Sequence, residues 1–388
     1  MKIAEFAVER WMDQYENRCR YNLAETCVQS LRVDELLALS GRGTELFDEL
    51  KSLKLTYGAI QGTERLRSLI ASLYASKNYT NVLITHGAAG ANALVYETLV
   101  EPGDQIVSFT PAYQQHVSIA ESYGAEVRQL RLREENGFLP DLDELRALVS
   151  DRTRLIVFSN PNNPTGSLMG RATLQAIARI AAAHGAYVLG DEVYRGIDQA
   201  GDGYTESIAD LYERGISTGS MSKAYSLAGL RLGWIVGAEL FLHEVGTHRD
   251  YNTISVGMID DFLASLALES REALLRRNHA IVRTNLAVLD GWLRTQPRLS
   301  YVKPRSGTTP LLKYDFDMDS REFCVRLIET TGVMLTPGSA MDMEGYVRIG
   351  YANDRATLSA GLERLAEFLG SSQQRIAAKP LDISPPGS

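Results

Sequence analysis

Short runs of consecutive apolar residues recur along the middle of the chain and alternate with longer amphipathic stretches. The apolar runs are NVLIT (81–85), QIVSF (105–109), RLIVFS (154–159), AYVLGD (186–191) and GWIVG (233–237). Apolar residues at helical spacing lie between them, for example in LDELRALVS (142–150) and RATLQAIARIAAAHG (171–185). Strands without polar alternation are buried on both faces, so the pattern predicts an α/β fold with a largely parallel sheet covered by helices.

The two ends of the chain have a different pattern from the middle. Apolar residues at roughly helical spacing predict an amphipathic helix over residues 1–20, which packs on its own domain or crosses to a partner subunit. After residue 270 a long helical stretch is followed by shorter strands and two more helices, as in a smaller α+β domain. We therefore divide the chain into an N-terminal segment (1–45) that forms part of the small domain, a large cofactor-binding domain (46–275), a small C-terminal domain (276–370) and a flexible tail (371–388).

Composition and charge exclude several classes of function. The chain has 40 Lys and Arg against 48 Asp and Glu, a net charge of −8 without a basic block, which disfavours nucleic acid and anionic membrane as partners. Its three cysteines have neither paired nor metal-ligand spacing, so we expect no metal site and a reducing compartment. No apolar run approaches the roughly 18 residues of a membrane span. These features predict a soluble, cytoplasmic protein.

The segment STGSMSKAYSLAGLRLGW (217–234) combines a lysine, hydroxyl side chains and an arginine. Lys223 follows Ser220 and Ser222, and Arg231 lies eight residues further on. A lysine amine forms a Schiff base only when it is neutral, so the site must lower the pKa of Lys223 or carry its proton elsewhere. Arg231 can bind a phosphate dianion through two N–H groups, and both serines can donate further hydrogen bonds. The segment therefore indicates a Schiff-base lysine beside a phosphate site.

A second segment, LGDEVYRG (189–196), places an acid at the end of a buried strand and a tyrosine three residues later. A carboxylate such as Asp191 beside a pyridine nitrogen keeps the ring protonated and makes it an electron sink. Tyr194 can donate to a phenolic oxygen on the same ring. Asp191 lies 32 residues before Lys223, and this spacing makes the short motif more specific than it is alone.

Two loops complete the pattern, one with two prolines and a glycine and one rich in glycine and alanine. SNPNNPTG (159–166) follows a strand at the edge where open α/β sheets bind ligands, and Asn163 can hydrogen-bond the ring oxygen. THGAAGAN (85–92) lies between a strand and a helix, where the backbone of Gly87, Ala88 and Ala89 can approach a phosphate. Each loop alone is also typical of an ordinary strand-to-helix turn.

In this order and spacing, the four segments resemble the class I and II aminotransferases, which are pyridoxal-phosphate enzymes of fold type I. The resemblance extends from about residue 20 to 370. It implies an aspartate-aminotransferase-like fold, pyridoxal 5′-phosphate as cofactor, an amino acid substrate, and a homodimer with interfacial active sites. It implies that Lys223 forms the Schiff base, that Asp191 pairs with the pyridinium, and that Tyr194 and Asn163 bind the ring oxygen. The phosphate ligands that it implies are Arg231, Ser220, Ser222 and the backbone of Gly87, Ala88 and Ala89.

The resemblance extends to residues outside these segments. Tyr113 is similar to the tyrosine that stacks on the cofactor, and Tyr57 to the tyrosine that reaches the neighbouring subunit's phosphate. Arg348 resembles the arginine that binds the substrate carboxylate, and an arginine in a buried strand needs an anion in any case. Thr253 and Ser255 are weaker candidates near the interface.

The implied reaction breaks a bond at the substrate Cα, with Lys223, Asp191 and Tyr194 as the catalytic residues and transamination as the leading outcome. Selectivity for the side chain is expected from the N-terminal segment, the loop around residues 113–116 and residues 306–309. The N-terminal segment is acidic, and a carboxylate over the site would select a basic side chain such as a guanidinium. Among these acids we select Glu25; a solvated helix face is the alternative for each of them.

The chain also resembles, more loosely, pyridoxal-phosphate enzymes that act on arginine in antibiotic biosynthesis, namely capreomycidine synthase and the oxygen-dependent arginine oxidases. Against the oxidases, Cys27 stands where a histidine is expected and Ser220 where some of them have an acid. Both departures favour ordinary transamination, with arginine cyclisation or oxidation as the alternative. A regulatory or binding protein built on this fold is a further alternative, although such a protein would be expected to have lost Lys223 or Asp191.

Overall fold

A computed structural model of the protein describes residues 2–43, 45–201 and 204–376, with side chains described through residue 370. The helices are α1 (Ala7–Tyr15), α2 (Val33–Ser40), α3 (Glu45–Ser52), α4 (Glu64–Ala71), α5 (Gly87–Leu99), α6 (Gln115–Ser122), α7 (Leu142–Leu148), α8 (Arg171–Ala183), α9 (Ile208–Leu211), α10 (Glu239–Asp250), α11 (Met258–Glu269), α12 (Arg271–Leu293), α13 (Ser320–Thr331) and α14 (Arg355–Ile376). The strands are β1 (Tyr21–Asn22), β2 (Val82–Thr85), β3 (Gln105–Thr110), β4 (Glu126–Arg131), β5 (Thr153–Ser159), β6 (Tyr187–Asp191), β7 (Gly215–Ser220), β8 (Gly233–Val236), β9 (Leu299–Tyr301), β10 (Leu311–Tyr314), β11 (Val333–Met334), β12 (Thr336–Pro337) and β13 (Tyr346–Arg348).

A seven-stranded sheet with the order β2-β8-β7-β6-β5-β3-β4 forms the centre of the protein. The apolar runs of the sequence form β2, β3, β5, β6 and β8, as predicted, and their side chains are almost all buried. β8 runs antiparallel to β2 and β7, whereas the other neighbours are parallel. The short connection from β7 to β8 contains no crossover helix, so β8 has to return antiparallel. The predicted sheet is therefore confirmed as mainly parallel.

Two strands of this sheet were not predicted from the sequence. β4 (EVRQLR) is an edge strand in which charged residues interrupt the apolar pattern. β7 (GISTGS) is completely buried, but it consists largely of glycine and hydroxyl residues and has no apolar run. β7 leads directly to Lys223, so the strand that positions the predicted lysine is one of those that lack a hydrophobic signal.

The C-terminal part of the chain forms a separate four-stranded antiparallel sheet with the order β12-β13-β10-β9. Strand β1, near the N-terminus, pairs with β11, and this pairing joins the N-terminal segment to the C-terminal region. This arrangement agrees with the assignment of residues 1–45 to the small domain. The domain boundaries themselves stay a prediction.

Both ends differ from the predicted element lengths. The first helix covers Ala7–Tyr15 rather than residues 1–20, and it packs on its own chain, where the indole N–H of Trp11 donates to the carbonyl of Leu335 over 2.8 Å. Helix α14 continues to Ile376, past residue 371, where the predicted tail begins. The rest of that tail, residues 377–388, lies outside the described residues. Among the helices that are described, none is both long and apolar enough to cross a lipid bilayer.

Candidate active site

The carboxyl ends of three neighbouring strands bring the predicted cofactor residues together. Asn163 follows β5, Asp191 is the last residue of β6, and Lys223 follows β7. They line a cavity of about 460 Å³. The other predicted residues on its wall are Glu25, Ala88, Ala89, Tyr113, Tyr194, Ser220, Ser222, Arg231 and Arg348. Because parallel strands end at one edge of a sheet, residues far apart in the sequence meet in this cavity.

Asp191 is held in place by two side chains that the sequence analysis did not assign to it. The amide of Asn92 donates to Oδ2 of Asp191 over 3.0 Å, and the hydroxyl of Thr218 fixes this amide by donating to its oxygen. Nε2 of His116 lies 3.2 Å from the same Oδ2, and Nδ1 of His116 lies 3.1 Å from the hydroxyl of Tyr96. With the proton on Nε2, the imidazole donates to Asp191 and accepts from Tyr96. Among the described residues, Oδ1 of Asp191 has one donor, the N–H of Val193 at 3.3 Å, so this oxygen can still accept from a pyridinium.

The hydroxyl of Tyr194 is buried and has no hydrogen-bond partner among the described residues. A buried hydroxyl without a partner is costly and indicates that a ligand satisfies it. Nearby, Oδ1 of Asn163 accepts from Nη1 of Arg348 over 3.2 Å, so the amide nitrogen of Asn163 remains a donor. Two donors therefore face the cavity next to Asp191, as binding of the ring oxygen of pyridoxal phosphate requires.

The phosphate end of the site lies where the start of α5 meets the β7–β8 connection. Gly87 has a φ of +66°, and a Cβ built on it would lie 2.8 Å from Nη2 of Arg231. A Cβ on Gly233 would lie 2.3 Å from the carbonyl carbon of Gly87, so both glycines are needed for this close approach. Nη1 of Arg231 lies 3.5 Å from the hydroxyl of Ser222. The resulting arrangement of a guanidinium, hydroxyls and a helix N-terminus fits a phosphate.

Lys223 contacts the loop that follows β1. Its ammonium donates to the hydroxyl of Thr26 over 2.7 Å and lies 3.6 Å from the sulfur of Cys27. Burial lowers the pKa of Lys223, but Cys27, Tyr194 and Glu25 act in the opposite direction and raise this pKa above its ordinary value. This direction favours the second of the two possibilities given by the sequence, namely that another group accepts the proton of Lys223 before a Schiff base forms.

Three glutamates line the same cavity, and one of them, Glu25, also stabilises the loop beside Lys223. Oε1 of Glu25 accepts from the backbone N–H groups of Thr26 and Cys27, over 2.7 and 2.8 Å, so this oxygen stabilises the turn beside Lys223. Burial raises the pKa of Glu25, but Lys223 and these N–H groups outweigh burial, and the pKa lies below its ordinary value. Glu9 and Glu16 are the other two glutamates, and Glu9 accepts from the hydroxyl of Tyr113 over 3.0 Å.

Arg348, on β13, is 4% exposed and bridges the two parts of the chain. Nη2 donates to the hydroxyl of Thr336 and to the carbonyl of Ala24, over 3.1 and 3.4 Å. Its Nε has no partner among the described residues. A buried guanidinium with an unused N–H next to a cavity suits a carboxylate ligand.

Other predicted residues lie outside the cavity. Tyr57 is 75% exposed, and neither it nor Thr253 and Ser255 line the cavity of their own chain. Gly87 lies behind Ala88 and contacts the site through Arg231. The region 306–309 was expected to contact the substrate, but it supports the wall from behind, where the hydroxyl of Thr308 donates to the carbonyl of Thr26. His116, from the 113–116 loop, faces Asp191 instead of the substrate.

Of the unpredicted residues, only some had a sequence signal. Asn92 is a polar residue on the otherwise apolar buried face of α5, which is unusual enough to suggest a role. His116 and Thr26 had no such signal, because ordinary polar residues in those positions are common. Their contacts with Asp191 and Lys223 span 75 and 197 residues of sequence.

Comparisons with known proteins agree with this geometry. Residues 49–365 match the profile of the aminotransferase class I and II family. Capreomycidine synthase from Streptomyces vinaceus is 33% identical over 94% of this chain and 93% of its own length. An aspartate aminotransferase from Pyrococcus horikoshii is 30% identical over 90% of this chain and 95% of its own length.

A solved structure extends the likeness to three dimensions. A pyridoxal-phosphate-dependent aminotransferase from Streptococcus suis superposes with a TM-score of 0.93 and 41% identity, covering 96% of this chain and 99% of that one. The aspartate-aminotransferase-like fold is thereby confirmed, and pyridoxal phosphate is the cofactor that the site residues fit. This protein belongs to the class I and II aminotransferases.

Proposed function

We propose that this protein is an aminotransferase, which moves the amino group of an amino acid to a 2-oxo acid. The observation that carries the proposal is the convergence of Lys223, Asp191 and Arg348 on one cavity. A lysine for the cofactor aldehyde, an acid for its ring nitrogen and an arginine for a carboxylate are the three groups that Cα chemistry on an amino acid needs.

Each of these residues has a defined task. Pyridoxal phosphate, when bound, supplies an electron sink that stabilises negative charge at Cα. Lys223, when it is not linked to the cofactor, would accept the Cα proton and deliver it to C4′ of the cofactor, as transamination requires. Asp191 keeps a proton on the ring nitrogen, and His116 and Asn92 hold its carboxylate in position. Arg348 orients the substrate through its carboxylate, so that the Cα–H bond faces Lys223.

A second candidate is an arginine-processing enzyme, either a cyclase similar to capreomycidine synthase or an oxygen-dependent arginine oxidase. The observation that favours it is the 33% identity to capreomycidine synthase over 94% of the chain. Cys27 borders Lys223, at the position where the oxidases are expected to have histidine. This difference places oxidation behind cyclisation, and both behind transamination.

The covalent role of Lys223 can be tested with a Lys223→Ala variant. We expect the purified wild-type protein to be yellow and to retain the cofactor on Lys223 after borohydride reduction, as read by peptide mass spectrometry. K223A should bind the cofactor only non-covalently and lose activity. Lys51, an exposed residue on α3, provides a matched control, and Lys51→Ala should behave like the wild type. A protein that stays colourless with added cofactor would instead support a regulatory or binding role.

The reaction outcome can be separated by incubating the holoenzyme with single amino acids. Formation of an oxo acid that depends on an added acceptor oxo acid supports transamination. A cyclised product without an acceptor, or consumption of oxygen, would overturn it in favour of the second candidate. Arginine has to be among the amino acids tested, because it is the substrate on which the two candidates differ.

We also propose that the active form is a homodimer. Exposed apolar side chains occur around Tyr57 and in the 251–259 region, and Gly58 lies close to Met258, so the two segments form one surface. The exposed residues are Leu55, Tyr57, Ile60, Tyr251, Ile254 and Ile259. Nε and Nη1 of Arg249 are buried next to this surface and have no partner among the described residues. A second copy of the chain would cover the apolar surface and bring its Tyr57 to this chain's phosphate site.

A further inference from the structure

The end of the cavity formed by α1 is unusually acidic. Glu9 lies on α1, and Glu16 follows the helix two turns later, so both side chains lie on the same face as Val8 and Met12, which also line the cavity. Glu25 joins them from the loop beside Lys223. Glu9 lies on α1 and Glu16 directly follows it, and this helix is anchored on the rest of the chain, since the N–H of Ala7 donates to Gln114 over 2.8 Å and Trp11 donates to Leu335.

The cations of the cavity do not balance these acids once the cofactor and an amino acid are bound. The lining contains three cations, Lys223, Arg231 and Arg348. In the proposed function Lys223 is either linked to the cofactor or engaged with the Cα proton, Arg231 binds the phosphate, and Arg348 binds the substrate carboxylate. Asp191, the fourth acid, is matched by the pyridinium. The three glutamates then face the substrate without a positive charge among the described lining residues.

The three glutamates are not equally available. Glu25 uses one oxygen in the turn at Thr26 and Cys27, and Glu9 is oriented by the hydroxyl of Tyr113. Among the described residues, no hydrogen bond or ion pair involves the carboxylate of Glu16. Burial and the like charges of Glu25 and Glu9 raise the pKa of Glu16, which agrees with a carboxylate that lacks a cation. Glu16 is therefore the strongest acceptor for an additional donor.

The direction of a bound amino acid follows from Arg348. This side chain is 96% buried, lines the cavity and has an unused N–H, so it is an independent indication of a ligand carboxylate. With the carboxylate at Arg348 and Cα at Lys223, the remaining direction of the cavity is the one closed by α1. The end of the substrate side chain therefore approaches Glu9 and Glu16.

We infer that the substrate is an amino acid with a long cationic side chain, a guanidinium or an ammonium, and that Glu16 and Glu9 are the residues that select it. This inference rests on the proposed positions of cofactor and substrate carboxylate, but it is independent of whether transamination or cyclisation follows. It assigns the selecting role to one residue on α1 and one directly after it, because one carboxylate oxygen of Glu25 is already used in the turn beside Lys223.

Arginine and citrulline form a matched pair of probes, since they have the same length and nearly the same shape, but only arginine is charged. Binding to the holoenzyme is followed by the change in its visible absorption and, independently, by isothermal titration calorimetry. We expect arginine to bind about twofold to thirtyfold more tightly than citrulline, because the carboxylates of Glu9 and Glu16 are exposed and each exposed charge pair contributes only a small part of the preference. Glu16→Gln, and more strongly Glu9→Gln combined with it, should reduce this ratio towards one by weakening arginine and leaving citrulline unchanged.

The control variant is Asp13→Asn. Asp13 lies on the same helix and carries the same charge, but it pairs with Arg10 and does not line the cavity. Asp13→Asn should keep the wild-type ratio, which excludes a general effect of net charge. Retention of the cofactor absorption band in every variant shows that the fold and the cofactor site are intact.

Equal affinity for arginine and citrulline, or an unchanged ratio in the double variant, would overturn the inference. Failure of the proposed function has a different signature: the protein would lack cofactor on Lys223, or no amino acid would change the absorption of the bound cofactor. If the cofactor is bound but its absorption does not respond to amino acids, calorimetry still measures the preference for arginine over citrulline and tests the inference separately.

Discussion

Gly87 offers a sharp test of how the phosphate site is built. A Gly87→Ala substitution has two consequences that can be separated. First, the residue keeps a φ of +66°, and an L-residue in the left-handed region costs about 1–2 kcal/mol of folding free energy. Second, the new Cβ would lie 2.8 Å from Nη2 of Arg231, so the guanidinium, which is the flexible partner, has to move.

The second consequence determines the affinity for the cofactor. A hydrogen bond to a charged group contributes about 1.5–3 kcal/mol, so displacing Arg231 from the phosphate should weaken pyridoxal phosphate about tenfold to a hundredfold. The assay is titration of the apoenzyme with pyridoxal phosphate, followed by the visible absorption of the cofactor. Pyridoxal, which lacks the phosphate, serves as a second ligand, and its affinity should not change.

Gly41 provides the matched control for backbone strain. Its φ of +68° is almost the same, but a Cβ there would have no neighbour within 4 Å. Gly41→Ala should therefore lose a similar stability in thermal unfolding and keep the wild-type affinity for pyridoxal phosphate. The reasoning is refuted if Gly87→Ala binds pyridoxal phosphate as tightly as the wild type, or if it weakens pyridoxal to the same extent.

Two further predictions concern residues that act on the cofactor from a distance. His116→Phe removes one donor to Oδ2 of Asp191 and leaves Asn92 as the other. We therefore expect cofactor binding to weaken by about 1–3 kcal/mol and the pH profile of the cofactor's visible absorption to shift, and His116→Gln should partly restore both. Identical behaviour of His116→Phe and the wild type would argue against this role. If Tyr57 reaches the partner subunit's phosphate, an equal mixture of the Tyr57→Phe and Lys223→Ala variants should form active sites that neither variant has alone. Half of the dimers are then mixed, and each mixed dimer has one complete site, so we expect about a quarter of wild-type activity at limiting cofactor. Mixtures that never exceed the sum of the two separate variants would contradict a shared site.

Much of the site is encoded in short segments that need little tertiary information. Asp191, Asn163 and Lys223 each follow or end a strand, and three strands that end at one edge of a sheet bring such residues together. The cofactor and the general fold could therefore be predicted from local patterns, and the same patterns single out Lys223 as the candidate lysine. The strand β7 was missed in spite of its central position, because glycine and hydroxyl residues have no hydrophobic periodicity.

The roles of the glutamates could not be obtained in the same way. The sequence shows that the N-terminal segment is acidic, but an acid on a helix face is usually solvated. Whether Glu25 or Glu16 faces the substrate depends on which carboxylate oxygens are already occupied by backbone N–H groups, and that is decided by the conformation of the loop at Thr26.

The sequence by itself thus determined the cofactor chemistry, because an imine-forming lysine, its phosphate ligands and the acid for the ring nitrogen lie in motifs with regular spacing. Only the tertiary structure decided how these groups are supported and which other side chains line the cavity. Contacts such as that of His116 with Asp191, of Thr26 with Lys223 and of α1 with the cavity join residues 75 or more positions apart. Such contacts follow from the packing of elements that are far apart in the sequence, and no local pattern records that packing.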